Sequence, residues 1–312
     1  MSEYSLPFDQ FQRYSLIADL IGRIRGDNSL RLLDIGGNEH ANLSTFLPAS
    51  DNYILDSAYL PEQISPDISV IYGDGLRLPF RDAAFDFAVS LDVLEHIEAA
   101  RRHDFLVESF RVSRSGAIAA FPEGPVAARA DEVANSLWQD LFGENYRWLA
   151  EHIEHGLPSD AEVLEISDQI TRYSILLHYG SIDYWLPMMN LHFMKEFDKT
   201  LQPLVRELDQ TYNTDLAASD YRQPCYRAFL ILLKNKEDLD LLQAALADQK
   251  RAGSNDMVGL IGRIAEREKQ TMTIVRSVRA NKRESRRRQD GLQAEIDQLA
   301  ETSDRLARQN QD

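Results

Sequence analysis

Four short segments of this 312-residue chain carry the acids and glycines that could hold a nucleoside. Asp34-Ile35-Gly36-Gly37-Asn38 follows the apolar run Arg31–Leu33, and glycine there lets backbone approach a ligand with no side chain in the way. Asp56 ends a second run, Tyr53–Leu55, roughly 20 residues after that turn, where a carboxylate can accept both hydroxyl hydrogens of a ribose. In Gly73-Asp74-Gly75-Leu76, Asp74 can accept from an adenine amino group while the Leu76 N–H faces a ring nitrogen. Ser90-Leu91-Asp92-Val93-Leu94-Glu95-His96 closes the set, at the point where a transferable group would sit.

Proton transfer needs a positioned base, and Glu95 and His96 follow the fourth apolar run closely enough to serve. Asp92 suits orienting a ligand better than taking a proton. His152 and His155, beside Glu151 and Glu154, share one side of an expected helix and read as a solvated face. Two histidines alone define no metal site, so no metal is expected. Trp138, Trp148 and Trp185 could stack on sugar rings or fill a core.

These residues need a scaffold, and the hydropathy pattern supplies one. Apolar residues at helical spacing from Phe8 to Arg25 predict a helix. Strands are predicted at Arg31–Leu33, Tyr53–Leu55, Ile68–Tyr72, Phe85–Ser90 and Gly116–Phe121, with a helix from Phe105 to Val112. Such alternation marks a parallel sheet covered on both faces. The helical stretch Pro125–Asp168 reads as an inserted lid, and Ile170–His178 and Tyr226–Lys234 as the strands that complete the sheet. The domain expected from this pattern spans residues 1–236.

From residue 237 to 312 there is no proline, and a heptad seam runs from Met257 to Asn310. Branched residues at a (Ile261, Val275, Ile296) with Leu292, Leu299 and Leu306 at d favour a parallel coiled-coil dimer, and the polar seam positions leave a trimer open. A solvated single helix is the alternative. The basic run Arg276–Arg288 could touch anionic lipid or simply face solvent.

Composition narrows the function classes. The net charge is −16, concentrated in residues 1–235, which carry 19 Lys and Arg against 36 Asp and Glu. Nucleic acid is therefore a poor partner, since phosphate binding rests on cationic side chains. One cysteine, Cys225, excludes an internal disulfide and suits a reducing compartment. With a polar N-terminal segment and no long apolar window, the expectation is a cytoplasmic protein without a transmembrane segment, able to visit the inner face of a membrane.

The run GDGLRLPFRDAAFDFAVSLDVLEHI, with LLDIGGN, resembles the class I S-adenosylmethionine-dependent methyltransferases, of the broad type that includes ubiquinone and sterol methylating enzymes. The resemblance covers residues 13–122. It implies a Rossmann-like α/β fold of strand order 3-2-1-4-5-7-6 and S-adenosyl-L-methionine as cofactor. It places Gly36 and Gly37 along the methionine part, Asp56 on the ribose, Asp74 on the adenine amino group and Leu91 or Asp92 beside the methionine, with Asp34, Asn38, Gly75 and Leu76 as further cofactor-binding candidates. Arg13-Tyr14 matches a position where an N-terminal helix closes over the ligand. Asn38-Glu39-His40 departs from the usual DxGxGxG loop. A nicotinamide cofactor would need G-x-G-x-x-G for its pyrophosphate, so the departure weighs more against a dehydrogenase.

The segment WQDLFGENYRWLAEHIEHGLP is similar to methyltransferases found with bacterial glycosyltransferases that build surface polysaccharides, some of which carry a C-terminal coiled coil. The function expected is O-methylation of a saccharide hydroxyl, capping glycan ends, by an oligomer that works beside glycosyltransferases. Methylation of a small lipid or quinone, or a non-catalytic scaffold assembled through the coil, are the alternatives.

Overall fold

In a computed structural model the structure describes residues 5–26, 29–37, 41–57, 68–249, 281, 284–293 and 296. The chain divides into two compact units, residues 1–254 and 255–312. The first holds a seven-stranded sheet of order β3-β2-β1-β4-β5-β7-β6. Its strands are β1 (Arg31–Ile35), β2 (Asp51–Asp56), β3 (Ser69–Tyr72), β4 (Phe85–Leu91), β5 (Ser113–Pro122), β6 (Ser174–Ser181) and β7 (Cys225–Leu233). The first five pair in parallel, and β7 runs antiparallel to both β5 and β6. This is the Rossmann-like α/β fold expected of class I methyltransferases, strand order included.

Alternation along each strand divides the core between the two sheet faces. Leu32, Phe87, Val89, Ile118, Phe229 and Ile231 share one cluster with Ile17, Leu20 and Ile21 of α1 (Phe8–Arg25). Leu33, Ile35, Ala88, Ala117 and Leu230 share the other with Phe105 and Leu106 of α3 (Ala99–Val112), which follows the short α2 (Asn42–Phe46). Gly116 is obligatory where β5 meets β7, because a Cβ there would collide with the Leu232 carbonyl oxygen.

Three helices fill the stretch expected as a lid: α4 (Gly124–Phe142), α5 (Arg147–His155) and α6 (Asp160–Ile170). However, α6 buries Val163 and Ile166 against the α3 face of the sheet, so it covers the core and the lid reading is left to α4 and α5. Here the structure departs from the expected sixth strand at Ile170–His178. Ser159 caps α6 by accepting the Glu162 N–H, and Val163, Ile166 and Ile170 carry a helical face on through Ile170. The strand therefore starts at Ser174. Beyond β6, α7 (Ile182–Phe197) and α8 (Gln202–Asp215) pack together, and α9 (Lys236–Gln249) closes the unit.

The first unit runs past the boundary expected at residue 236. Arg25 binds Asp238 of α9 through two bonds of 2.6 Å, and Leu242 is fully buried in the core. Of the heptad seam, only Ser285, Gln289, Leu292 and Ile296 fall among the described residues. All four are helical, and Leu292 and Ile296 are exposed within the single chain. The rest of the expected coiled coil lies outside them. Among the described residues no helix is long and apolar enough to cross a membrane.

Candidate active site

The parallel strands β1 to β4 end at one edge of the sheet, and the chemistry-bearing residues collect there. Asp34 lies on the α1 face of β1, two positions after Leu32, so its carboxyl meets that helix. Tyr14 donates to Oδ2 at 3.4 Å, while Oδ1 has no partner among the described residues. With Asp34 only 2% exposed, burial pushes its pKa up to about 7, and the nearby Asp56 charge adds to the rise. Gly36 turns the chain away with φ +77 and gives its N–H to the Leu55 carbonyl at 2.7 Å. A Cβ at Gly36 would strike Val93, and one at Gly37 would strike the Asp34 carboxyl. Asn38 lies outside the described residues.

Asp56 is half-buried at the end of β2, and its carbonyl accepts the Gly73 N–H at 3.0 Å. Asp74 is exposed, and its Oδ1 accepts the Leu76 N–H at 2.9 Å. That N–H, expected to face a ligand ring, instead closes a local Asx turn. Gly75 leaves room beneath the loop, where a Cβ would come within 2.7 Å of Phe105.

At the end of β4, Leu91 turns into the core and Asp92 turns outward in a left-handed conformation, φ +56. Asp92 accepts from Arg13 and, at 2.8 and 2.7 Å, from Arg227 of β7. Arg227 also reaches Asp9 Oδ1 and Gln12 Oε1, each at 3.0 Å, and Arg13 Nη2 lies 3.0 Å from Asp9 Oδ2. Trp185 donates to Asp9 at 3.0 Å and stacks on Tyr226. Burial alone would raise the Asp9 pKa, but Arg227 and Arg13 outweigh it and hold the group at about 2. α1 is thus pinned to the strand ends by two arginines and two aspartates. Arg227, 1% exposed, escaped the sequence reading. Its signal was a lone charge inside the apolar strand CYRAFLILL.

Glu95 and His96 occupy the single turn Leu94–His96, which Arg102 grips through the Leu94 and Ile97 carbonyls. Arg102 also binds Glu162 at 3.0 Å and the Gly156 carbonyl, so the same side chain fixes the lid. The lid then delivers His152 against this turn, with Nε2 3.8 Å from Glu95 Oε1 and the two imidazole centres 4.9 Å apart. His152 was expected on a solvated face. It is 7% exposed, because Asp131 of α4 takes its Nδ1 at 2.8 Å and is itself held by the Tyr226 hydroxyl at 2.7 Å. His155 does not join the cluster.

Glu95 is fully buried, and neither carboxyl oxygen has a hydrogen-bond partner among the described residues. Burial first, and then the Asp92 charge, push its pKa well above the carboxylate range. His96 Nδ1 lies 3.0 Å from Glu151 Oε2, without hydrogen-bond geometry. Burial, aided by His152, lowers its pKa to about 4, so the imidazole is neutral at pH 7 and can accept a proton or a ligand. Trp148, 45% exposed, stands edge-on to His96 at 5.3 Å. Trp138, by contrast, packs among Phe142, Tyr146 and Phe193.

The methyltransferase domain family matches residues 50–121. No protein of curated function matches the chain. Similar solved structures include a candidate methyltransferase of Bacillus halodurans, at 15% identity over 69% of this chain and 96% of that one, with a TM-score of 0.39. A candidate methyltransferase from an antibiotic biosynthesis pathway of Anabaena variabilis has 12% identity over 75% of this chain and 100% of that one, with a TM-score of 0.45. Phosphoethanolamine N-methyltransferase 2 of Haemonchus contortus, in complex with phosphomonomethylethanolamine and S-adenosylhomocysteine, has 12% identity over 72% of this chain and 53% of that one, with a TM-score of 0.47. The matched stretch runs from β2 into β5 and holds Asp56, Asp74, Gly75 and Asp92, while Asp34, Gly36 and Gly37 precede it.

Proposed function

We propose that the chain is an S-adenosylmethionine-dependent O-methyltransferase whose acceptor is a saccharide hydroxyl. The observation that carries the reading is the collection at one sheet edge of two kinds of group: the acids and glycines at the ends of β1 to β4, and a polar cluster against α5. A Cβ at Gly36, Gly37 or Gly75 would strike Val93, the Asp34 carboxyl or Phe105, so these turns lie tight against the protein, and Asp34 Oδ1, without a partner among the described residues, is left to accept. These residues fit the donor, which when bound supplies a methyl group on a sulfonium.

Asp56 would hold the ribose hydroxyls and Asp74 the adenine amino group, while Arg13 and Tyr14 close α1 over the methionine part. The transfer is an in-line displacement, so the protein must align acceptor, methyl and sulfur and exclude water. His96, a neutral imidazole at pH 7, is placed to take the proton of an acceptor hydroxyl, whereas Glu95, whose neutral form burial favours, can take it only once ionised. Trp148 is the tryptophan at the mouth of this cluster, where a sugar ring could stack on it. We read the C-terminal heptads as a dimer or trimer seam that holds the enzyme near surface-glycan glycosyltransferases, in the cytoplasm or at the inner membrane face.

Calorimetric titration with S-adenosylhomocysteine tests the cofactor reading. We expect binding, weakened at least ten-fold by Asp56→Ala or Asp74→Ala, and no heat at millimolar ligand would overturn it. Labelled methyl transfer into a surface-glycan extract tests the acceptor. Transfer into lipid extracts alone would move the assignment to a small lipid or quinone.

A further inference from the structure

We propose that Glu95, His96 and His152 form a binding site for one divalent transition-metal ion, between the turn after β4 and α5. One ligand atom from each of the three lies within 4.8 Å of those of the other two. An ion about 2.1 Å from each of three ligands spaces them about 3.0–3.4 Å apart, so a small inward movement of the side chains completes the set. They come from two elements, the Leu94–His96 turn and α5, which Arg102 ties together by donating to the Leu94 and Ile97 carbonyls and to the carbonyl of Gly156 at the end of α5.

Two further observations point to a ligand. Glu95 is fully buried with both oxygens unpartnered among the described residues, an arrangement that costs about 1–3 kcal/mol or more per polar group unless something enters to satisfy it. His152 is oriented as a ligand: the Asp131 carboxylate accepts its Nδ1 proton, leaving the Nε2 lone pair facing Glu95. Tyr226 fixes Asp131 in turn, and such a carboxylate behind a histidine raises the basicity of the ligand.

A second cluster shows what is missing elsewhere. Glu123, Asp160 and His178 are equally close, but Asp160 accepts from the His178 ring at 2.9 Å. Glu123 caps the Asp160 N–H at 3.1 Å. Those groups satisfy one another.

Two imidazoles and one carboxylate suit zinc, manganese, iron or cobalt better than calcium, and three protein ligands leave positions open. The role of the ion rests on the methyl-transfer reading: an acceptor hydroxyl bound there would lose its proton more readily. Its presence does not.

The test titrates untagged, chelator-treated protein with Mn²⁺ by calorimetry and with Co²⁺ by visible absorption. We expect one ion per chain, binding weakened at least ten-fold by Glu95→Gln and by His152→Ala, and ten- to a hundred-fold by Asp131→Asn. His178→Ala should bind normally. Retained S-adenosylhomocysteine binding and circular dichroism certify that the variants are folded. Absence of stoichiometric binding of either ion, or binding indifferent to Glu95 and His152, overturns the proposal. The titration needs no methyl donor, so a protein that binds Mn²⁺ but not S-adenosylhomocysteine would refute the methyl-transfer reading alone.

Discussion

The two ends of the Asp92–His96 segment follow opposite electrostatic designs. On the α1 side, Asp92 is gripped by Arg13 and Arg227, and Asp9 completes a cluster in which each charge faces its opposite. On the lid side, three residues later, Glu95 is more deeply buried and faces two imidazoles with no hydrogen bond to either oxygen. Asp34 stands between these extremes, with one oxygen bonded to Tyr14 and the other without a partner among the described residues. The contrast separates two tasks. A saturated ion cluster fixes the geometry of α1 against the sheet, while an unsatisfied carboxyl is left for something that arrives later.

The sharpest way to break the contrast is to remove Arg227. Arg227→Met keeps the volume but leaves Asp92 and Asp9 buried with Arg13 alone, and breaking a buried pair in this way costs about 3–5 kcal/mol. Urea unfolding should show a loss of that order. A loss below about 1 kcal/mol would mean that the cluster is solvated and positions nothing.

Asp34 tests the intermediate case through pH. Its pKa rises from the ordinary 3.8 to about 7, so the neutral form is the one the fold prefers. The stability tied to that preference is fully present below pH 3.8 and is lost as pH rises through 7, where the buried carboxyl must ionise. Asp34→Asn stays neutral throughout. Parent and variant should therefore unfold at similar urea concentrations near pH 4. At pH 8 the variant should be the more stable, by up to about 4 kcal/mol at roughly 1.4 kcal/mol per unit of pKa. Parallel pH profiles would place Asp34 in a wetter setting than the fold shows.

These differences also mark what the sequence could reveal. Asp34, Gly36, Gly37, Asp56, Asp74 and Asp92 each sit at or beside the end of a strand that its own apolar residues announce, so local pattern located them. The sheet order came from the family resemblance, because local pattern announces strands but not their neighbours. Arg227, Asp131 and His152 were not. Each enters the site from an element far along the chain, and no local periodicity says that α5 turns His152 inward or that Asp131 waits for it. The start of β6 was misplaced because Ile170 continues both an apolar run and a helical face, and the Ser159 cap decides between them. At α9 the pattern looked merely helical, and the contacts of Arg25 with Asp238 assign it to the first unit.

The smallest expected effect tests the lid side by its contrast with Arg227. Glu95 has no hydrogen bond to lose, and burial already favours its neutral form. Glu95→Gln replaces one unsatisfied neutral group by another of the same shape, so metal-free unfolding should shift by no more than about 1 kcal/mol. With Mn²⁺ the two proteins should part: the parent's unfolding midpoint rises with ion concentration, because a ligand bound only to the folded state stabilises it, and that of the variant stays flat. A loss of 3 kcal/mol or more without metal would show that Glu95 belongs to a satisfied network like that of Asp92. The opposition between the two ends of the segment would then disappear.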